Sequence, residues 1–306
     1  MTEKQKTIRR PVTLSGTGLH TGKKGTLTFH PAPENHGIKF RRIDLDGKPV
    51  IDATVDYVIS TDRGTTLGKN DAKIFTIEHV LAALTGLGID NVMIDVDTEE
   101  MPILDGSSKF FVEILEKAGI QEQNIPKEYI KIKEPIVFEI PEKKIMVSIE
   151  PSDHFSVEVE IDYETKVLGK QFARLDHLKD FKTEIAACRT FVFLHELEFL
   201  LNNNLIKGGD ISNAIVFVNK VVSQEELDRL ADLFNKPKVK VKERGILNNV
   251  DLYFENEPAR HKLLDLIGDL TLLGKPLLGH VKAVRPGHYT NTQFAKEIKK
   301  KINHYE

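Results

Sequence analysis

The segment Ala259-Arg260-His261-Lys262-Leu263-Leu264-Asp265 places an imidazole and a carboxylate four residues apart. On a helix such residues share a face, with Cβ atoms about 5–6 Å apart. One divalent ion can then be gripped by both, at about 2.0–2.2 Å each for zinc. Asp269 lies one turn further on the same face, as a third ligand or as a group that orients a histidine. The competing reading is a surface salt-bridge helix, since Arg260 and Lys262 lie close by. Leu263, Leu264, Leu266, Ile267, Leu270, Leu272 and Leu273 argue against it, because a helix apolar nearly all round does not leave its His and Asp facing water.

Glu78-His79 is a second pair, at the start of another apolar helix. A metal lowers the pKa of a bound water, and an adjacent carboxylate takes the proton. Taken alone, a Glu in a first helical turn is only a favourable partner for the helix dipole. A third signal is Pro286-Gly287-His288-Tyr289, a histidine after a strand end that suits a mobile acid. Of the 11 histidines, His30, His36, His154, His177, His195 and His304 have no metal-like context, and His280 reads as structural. The reading is a zinc-dependent hydrolase whose metal is held by two helices from different halves of the chain.

Other chemistries are disfavoured. Gly16 to Gly22 (Gly-Thr-Gly-Leu-His-Thr-Gly) lacks the Lys-Ser/Thr spacing and the βαβ setting of a phosphate loop. No Gly-x-Ser-x-Gly nucleophile stands out. The net charge of -3 argues against nucleic acid as a partner. Lys238-Val-Lys-Val-Lys242 reads as a strand with one solvated face rather than a phosphate site. The single cysteine, Cys188, permits no intrachain disulfide and fits a reducing compartment. Met1 to Pro11 has no apolar signal stretch, and no window of ~18 apolar residues predicts a transmembrane span. A cytoplasmic protein is expected.

Two α+β domains must position these groups in a chain of 306 residues. Strands alternate at Gly25–His30 and Gly37–Arg41, a helix is predicted over Thr76–Leu84 ending at Gly86 and Gly88, and a strand over Asn91–Val96. A helix follows over Ser107–Lys117. The polar stretch Gln121–Glu128, with Pro126, sets the boundary: residues 1–125 form an N-terminal domain with Glu78 and His79, and residues 126–306 a C-terminal domain with His261 and Asp265. In the latter, strands are predicted at 129–132, 136–140, 144–149 and 156–161, then short helices at 181–187 and 194–202 and a strand at 213–218. A capping-box helix runs from Ser223 with Glu226 to about Phe234, a helix from Pro258 to Leu273, a strand over Gly279–Val284 and a basic amphipathic helix over 291–302. Each half thus holds an apolar helix that ends in glycine and leads to a strand, which predicts two domains of similar build with facing helices.

Taken together, the chain closely resembles the UDP-3-O-acyl-N-acetylglucosamine deacetylases, zinc enzymes of the committed step of lipid A synthesis. The resemblance rests on Gly18-Leu-His-Thr-Gly22, Thr76-Ile-Glu-His79, Gly86-Leu-Gly-Ile-Asp-Asn91, Pro102-Ile-Leu-Asp-Gly-Ser107, Arg189-Thr-Phe191, Gly208-Gly-Asp210, Asn213-Ala-Ile-Val216, Arg260 to Asp265, Gly268-Asp269 and Gly287-His288. It implies two α+β domains, each a β-sheet layered with helices, the helices sandwiched between the sheets. It implies a zinc site of His79, His261 and Asp265, which in a His2Asp form also accepts Fe2+. Glu78 would be general base, Thr190 an oxyanion donor, and His288, held charged by Asp269, the acid for the leaving amine. Lys262 would act beside the metal on the substrate, and Phe191 and His20 would bind it. Residues 194–215 would wall an acyl-chain tunnel. The stretch 219–256 departs from the pattern and reads as a surface elaboration. A hydroxyacyl-carrier-protein dehydratase is the implied partner, separate or fused, with 299–306 as the stub of a linker in the fused case. The runner-up is the same fold acting on another acylated amino sugar. A binding protein that has lost its chemistry is disfavoured because Glu78, His79, His261, Asp265 and His288 are all present.

Overall fold

The computed structural model describes residues 3–197, 207–208, 213–220, 222–233, 237–242 and 245–303. Its two main sheets repeat one topology. In the first, strands β2 (Val12–Thr17), β3 (Lys24–Pro31), β4 (Ile38–Arg42), β5 (Val50–Asp52) and β9 (Val92–Val96) take the order β2-β3-β9-β4-β5. Only the β4–β9 contact is parallel. In the second, β12 (Ile136–Ile140), β13 (Ile145–Glu150), β14 (Phe155–Asp162), β15 (Lys170–Leu175) and β18 (Leu277–Val284) take the order β12-β13-β18-β14-β15. Here only β14–β18 is parallel within that order, and the short β11 (Ile130–Lys131) adds a further parallel contact to β18. Both sheets are therefore two hairpins with a late strand inserted between them, and both late strands follow a helix.

Those helices are α1 (Glu78–Gly86) and α5 (Glu257–Leu270), which pack on each other. Between them in sequence come α2 (Lys109–Ala118), α3 (Phe181–Glu184) and α4 (Gln224–Leu233); α6 (His288–Asn303) closes the described chain. Every residue of α1 from Glu78 to Leu84 is buried, and α5 exposes only Arg260 and Lys262 to any extent. The near-uniform apolar character of both helices follows from this. They are interior helices, covered on several sides, and have no broad solvent face to fill with charge. The period-2 burial of β3 and β18 gives each sheet one inner face. The expected α+β architecture with facing helices is what the chain adopts.

Several elements differ from the sequence expectations. The polar stretch at 121–128 contains strand β10 (Ile120–Pro126), paired antiparallel with β1 (Lys4–Ile8). Gln121, Glu122 and Asn124 face solvent and Gln123 bonds Asn91 and the Ala32 carbonyl, so no apolar alternation betrays it. The helix expected from Thr76 starts at Glu78, because Thr76 has φ 59° and cannot continue a right-handed turn. The helix expected at 181–187 is the four-residue α3. Lys238–Lys242 is extended but not a strand: only Val241 forms a bridge, to Leu247. Lys238 pairs with Asp228 and Asp232, and Lys242 with Asp251, so intrachain carboxylates engage both cations. Of the helix expected at 194–202, residues 194–197 are helical and 198–202 lie outside the described residues. The stretch 219–256 joins a satellite core: Leu227, Ala231, Val239 and Leu247 pack with Leu194, Leu197, Val216 and Val218.

Candidate active site

Where α1 and α5 cross, Gly268 lies against the backbone of Glu78. A Cβ there would stand 2.2 Å from the Glu78 carbonyl oxygen. This close approach brings the first turn of α1 onto the middle of α5. Ligand atoms of His79, His261 and Asp265 then lie within 4.8 Å of one another, the one such cluster of three among the described residues. The His261 ring, with Nδ1 3.0 Å from the Cys188 carbonyl, donates there and turns its Nε2 lone pair to the cluster. Burial, ahead of all other influences, pulls its pKa down to about 3, so the ring is neutral and able to ligate. Desolvation works against a charged Asp265, but the positive charges of Lys262 and His288 hold it well below the usual carboxylate range. Its Oδ2 accepts from Lys262 Nζ at 2.8 Å, while Oδ1 is buried with no hydrogen-bond partner. Two imidazole nitrogens and one orphaned carboxylate oxygen, converging in the interior, fit a divalent cation.

Glu78 and His288 border the cluster. Glu78 Oε2 accepts from the Thr65 amide at 3.0 Å, which leaves Oε1 aimed inward, 3.8 Å from His288 Nε2. His288 Nδ1 lies 2.9 Å from Asp269 Oδ2, and Asp269 is fixed by Thr65 Oγ1 at 2.5 Å and Asn291 Nδ2 at 2.9 Å. Burial works against a charged ring, but Asp269 first, then Glu78 and Asp265, outweigh it and raise the His288 pKa to about 10. At neutral pH the metal-free site thus holds a neutral His261 and a cationic His288, two histidines set apart by their surroundings.

A cavity of about 690 Å³ opens on these groups. Glu78, His79, His261, Lys262, Asp265 and His288 reach it, as do Thr190, Phe191 and His20. Asp269 is fully buried behind His288 and does not. The structure thus gathers every residue singled out from the sequence, eight residues and Phe191 on the wall and Asp269 behind it. Lys262 Nζ sits 5.6 Å from the centroid of the Phe191 ring, a cation–π distance. Despite burial, Asp265 and then Tyr163 hold the Lys262 pKa up, so it stays charged. Leu197, Ala214 and Val216 add apolar wall where an acyl tunnel was expected; residues 198–206 and 209–212 of that stretch lie outside the described residues.

Several residues that shape the site carry no sequence signal. The Cys188 carbonyl, Thr65, Asn291 and Ser108, whose hydroxyl donates to the His79 carbonyl at 2.7 Å, belong to no motif with a mechanism of its own. Gly268 did carry one: a glycine inside an otherwise leucine-rich helix marks a close approach. Arg63, Thr76 and Leu104 all have φ between 54° and 61° near the cavity, a strained backbone of the kind held at functional sites.

A model of the family described as LpxC, UDP-3-O-acyl N-acetylglycosamine deacetylase, matches residues 5–239 and 231–300. The matches overlap within the stretch 219–256 and run through it. The chain is 48% identical over 303 residues to the bifunctional enzyme LpxC/FabZ of Bacteroides thetaiotaomicron, covering 99% of this chain and 66% of that protein. It is 48% identical over 299 residues to the LpxC/FabZ enzyme of Chlorobaculum tepidum, covering 97% and 64%. To the UDP-3-O-acyl-N-acetylglucosamine deacetylase of Coxiella burnetii it is 40% identical over 298 residues, covering 96% and 90%. The chain thus spans just under two thirds of the bifunctional relatives.

Proposed function

The chain belongs to the UDP-3-O-acyl-N-acetylglycosamine deacetylase family, and from that footing we propose that it hydrolyses the N-acetyl group of UDP-3-O-(3-hydroxyacyl)-N-acetylglucosamine, releasing acetate in the committed step of lipid A synthesis. The carrying observation is the convergence of His79, His261 and Asp265 between Glu78 and His288 in one cavity. His79 Nε2, His261 Nε2 and Asp265 Oδ1 would hold one zinc ion, with Fe2+ as the alternative the donor set accepts. When bound, the ion polarises the acetyl carbonyl and makes an attacking water acidic near neutral pH.

The protein's own groups do the rest. Glu78, held by the Thr65 amide, takes the proton of the attacking water. Thr190 donates its hydroxyl to the oxygen on which negative charge develops. His288, kept protonated by Asp269, delivers its proton to the departing nitrogen. Asp269 accepts from Nδ1–H and so orients the imidazolium with its Nε2–H facing the reaction. Lys262 contributes a fixed positive charge, Phe191 and His20 contact the sugar nucleotide, and the apolar wall at Leu197, Ala214 and Val216 takes the acyl chain.

The name of the bifunctional relatives pairs LpxC with FabZ. It supports a hydroxyacyl-carrier-protein dehydratase as a fused or separate partner. Among the described residues no helix is long and apolar enough to cross a membrane, and a cytoplasmic setting completes the proposal. The test is acetate release from the UDP-acylated substrate before and after chelation, with zinc added back. Activity that disappears and returns supports the reading. A protein that carries one metal per chain yet never releases acetate overturns the substrate assignment.

A further inference from the structure

Glu100 is 2% exposed, lies outside the hydrolytic machinery and yet gathers a set of donors from other segments. Its Oε1 accepts from the His20 amide at 2.8 Å, and its Oε2 from the Thr21 amide at 2.8 Å and the Thr21 hydroxyl at 2.7 Å. Three short bonds converge on this one side chain, and a buried carboxylate left without them would be costly. Gly18 has no room for a side chain: a Cβ there would be 2.4 Å from Glu100 Oε2. Loop 18–22 is therefore moulded around this one carboxylate.

The same loop reaches across to the other half of the chain. Gly208 N donates to the Leu19 carbonyl at 3.0 Å and Lys207 N to the His20 carbonyl at 3.3 Å. A Cβ on Gly208 would stand 2.0 Å from the Gly18 carbonyl oxygen, so the two backbones touch. Leu19 and His20 line the active-site cavity. Glu78, His261 and His288 are held by bonds independent of this loop, from Thr65, the Cys188 carbonyl and Asp269. Toward α1 the Glu100 carboxylate has Thr76 Oγ1 at 3.5 Å, too long to carry much, and the bridge between Phe75 and Glu100 is made by backbone groups that a side-chain substitution leaves in place.

We infer that Glu100 is a positioning residue whose buried carboxylate fixes loop 18–22 against Lys207–Gly208 at the cavity wall and so sets affinity for the acylated sugar nucleotide, leaving the hydrolytic step untouched. The inference rests on the deacetylase reading for its substrate, but the anchoring itself does not. Glu100→Gln keeps the size and turns an N–H toward an N–H at one of the two loop amides.

The experiment pairs hydrogen–deuterium exchange of the metal-loaded variant, without substrate, with steady-state kinetics on UDP-3-O-acyl-N-acetylglucosamine. The expected result is faster exchange at His20 and Thr21, KM raised at least about tenfold, kcat within about threefold of the parent, and zinc content unchanged. Unchanged exchange at 18–22 overturns the anchor. Faster exchange with an unchanged KM overturns the link to affinity, as does a fall in kcat at constant KM. If Glu100→Gln does not fold, Thr21→Val removes one bond and keeps the carboxylate, and the same two measurements decide on it. A parent protein that never turns over the substrate refutes the deacetylase reading, while the exchange result still decides the anchor.

Discussion

Gly268→Ala separates the stability of the fold from the geometry of its metal site. The new methyl would sit 2.2 Å from the Glu78 carbonyl oxygen, 2.9 Å from its carbon and 3.0 Å from its Cα. All three are backbone atoms, so no rotamer change relieves the clash. Restoring ordinary contact distances of ~3.5 Å parts α1 from α5 by roughly 1 Å. Overpacking of this kind costs about 1–3 kcal/mol. Replacing a mid-helix glycine with alanine returns about 1 kcal/mol. The net loss of stability is therefore small, on the order of 0–2 kcal/mol. The metal site is less tolerant, since His79 rides on α1 while His261 and Asp265 ride on α5. A displacement of about 1 Å at a reacting centre costs about 10²-fold in rate. The expected variant is folded, melts within a few degrees of the parent in chelator, binds zinc more weakly in competition with a chromophoric chelator, and has kcat/KM lowered about a hundredfold. A variant with parental zinc affinity and parental kcat/KM would refute the argument that the closeness of these two helices sets the site.

Asp265→Ala removes the site's orphaned carboxylate oxygen and should lower zinc affinity by at least ~10–100-fold, measured as metal content after dialysis. Glu78→Ala should keep its zinc and lose about 10²–10⁴ in kcat, and loss of the metal would instead make Glu78 a ligand. In metal-free protein, NMR titration should find His288 protonated until near pH 10, and Asp269→Asn should bring that midpoint down. Because the folded pKa is raised, the stabilisation it brings is fully present below the ordinary histidine value of about 6.5 and is lost as pH rises through about 10. Chelated Asp269→Asn should therefore show a flatter melting temperature between those limits, and an unchanged slope would contradict the pairing. Arg189→Met takes the guanidinium from the fully buried Glu257 and leaves it only the Arg189 and Tyr253 amides, which predicts a loss of about 3–5 kcal/mol by denaturant melting.

Local pattern alone determined a good deal. The apolar runs around Glu78-His79 and His261–Asp265 specify interior helices, because a 3.6-residue period with no polar face has one physical solution. The spacing of His261 and Asp265 fixes them on one helical face whatever the rest of the chain does. The repeated order of helix, glycine and strand announced two similar halves, and the sheets bear this out with the same pattern of hairpins. What the tertiary structure decided are contacts between residues far apart in the chain, which leave no period to read. Polar strand β10 is a strand because β1 supplies its hydrogen bonds. The Cys188 carbonyl becomes a partner of His261, and Thr65 and Asn291 become clamps on Asp269, only where the folded chain returns. Above all, His79 meets His261 and Asp265 because a glycine lets two helices touch backbone to backbone, and a sequence can show that glycine without showing which helix lies against it.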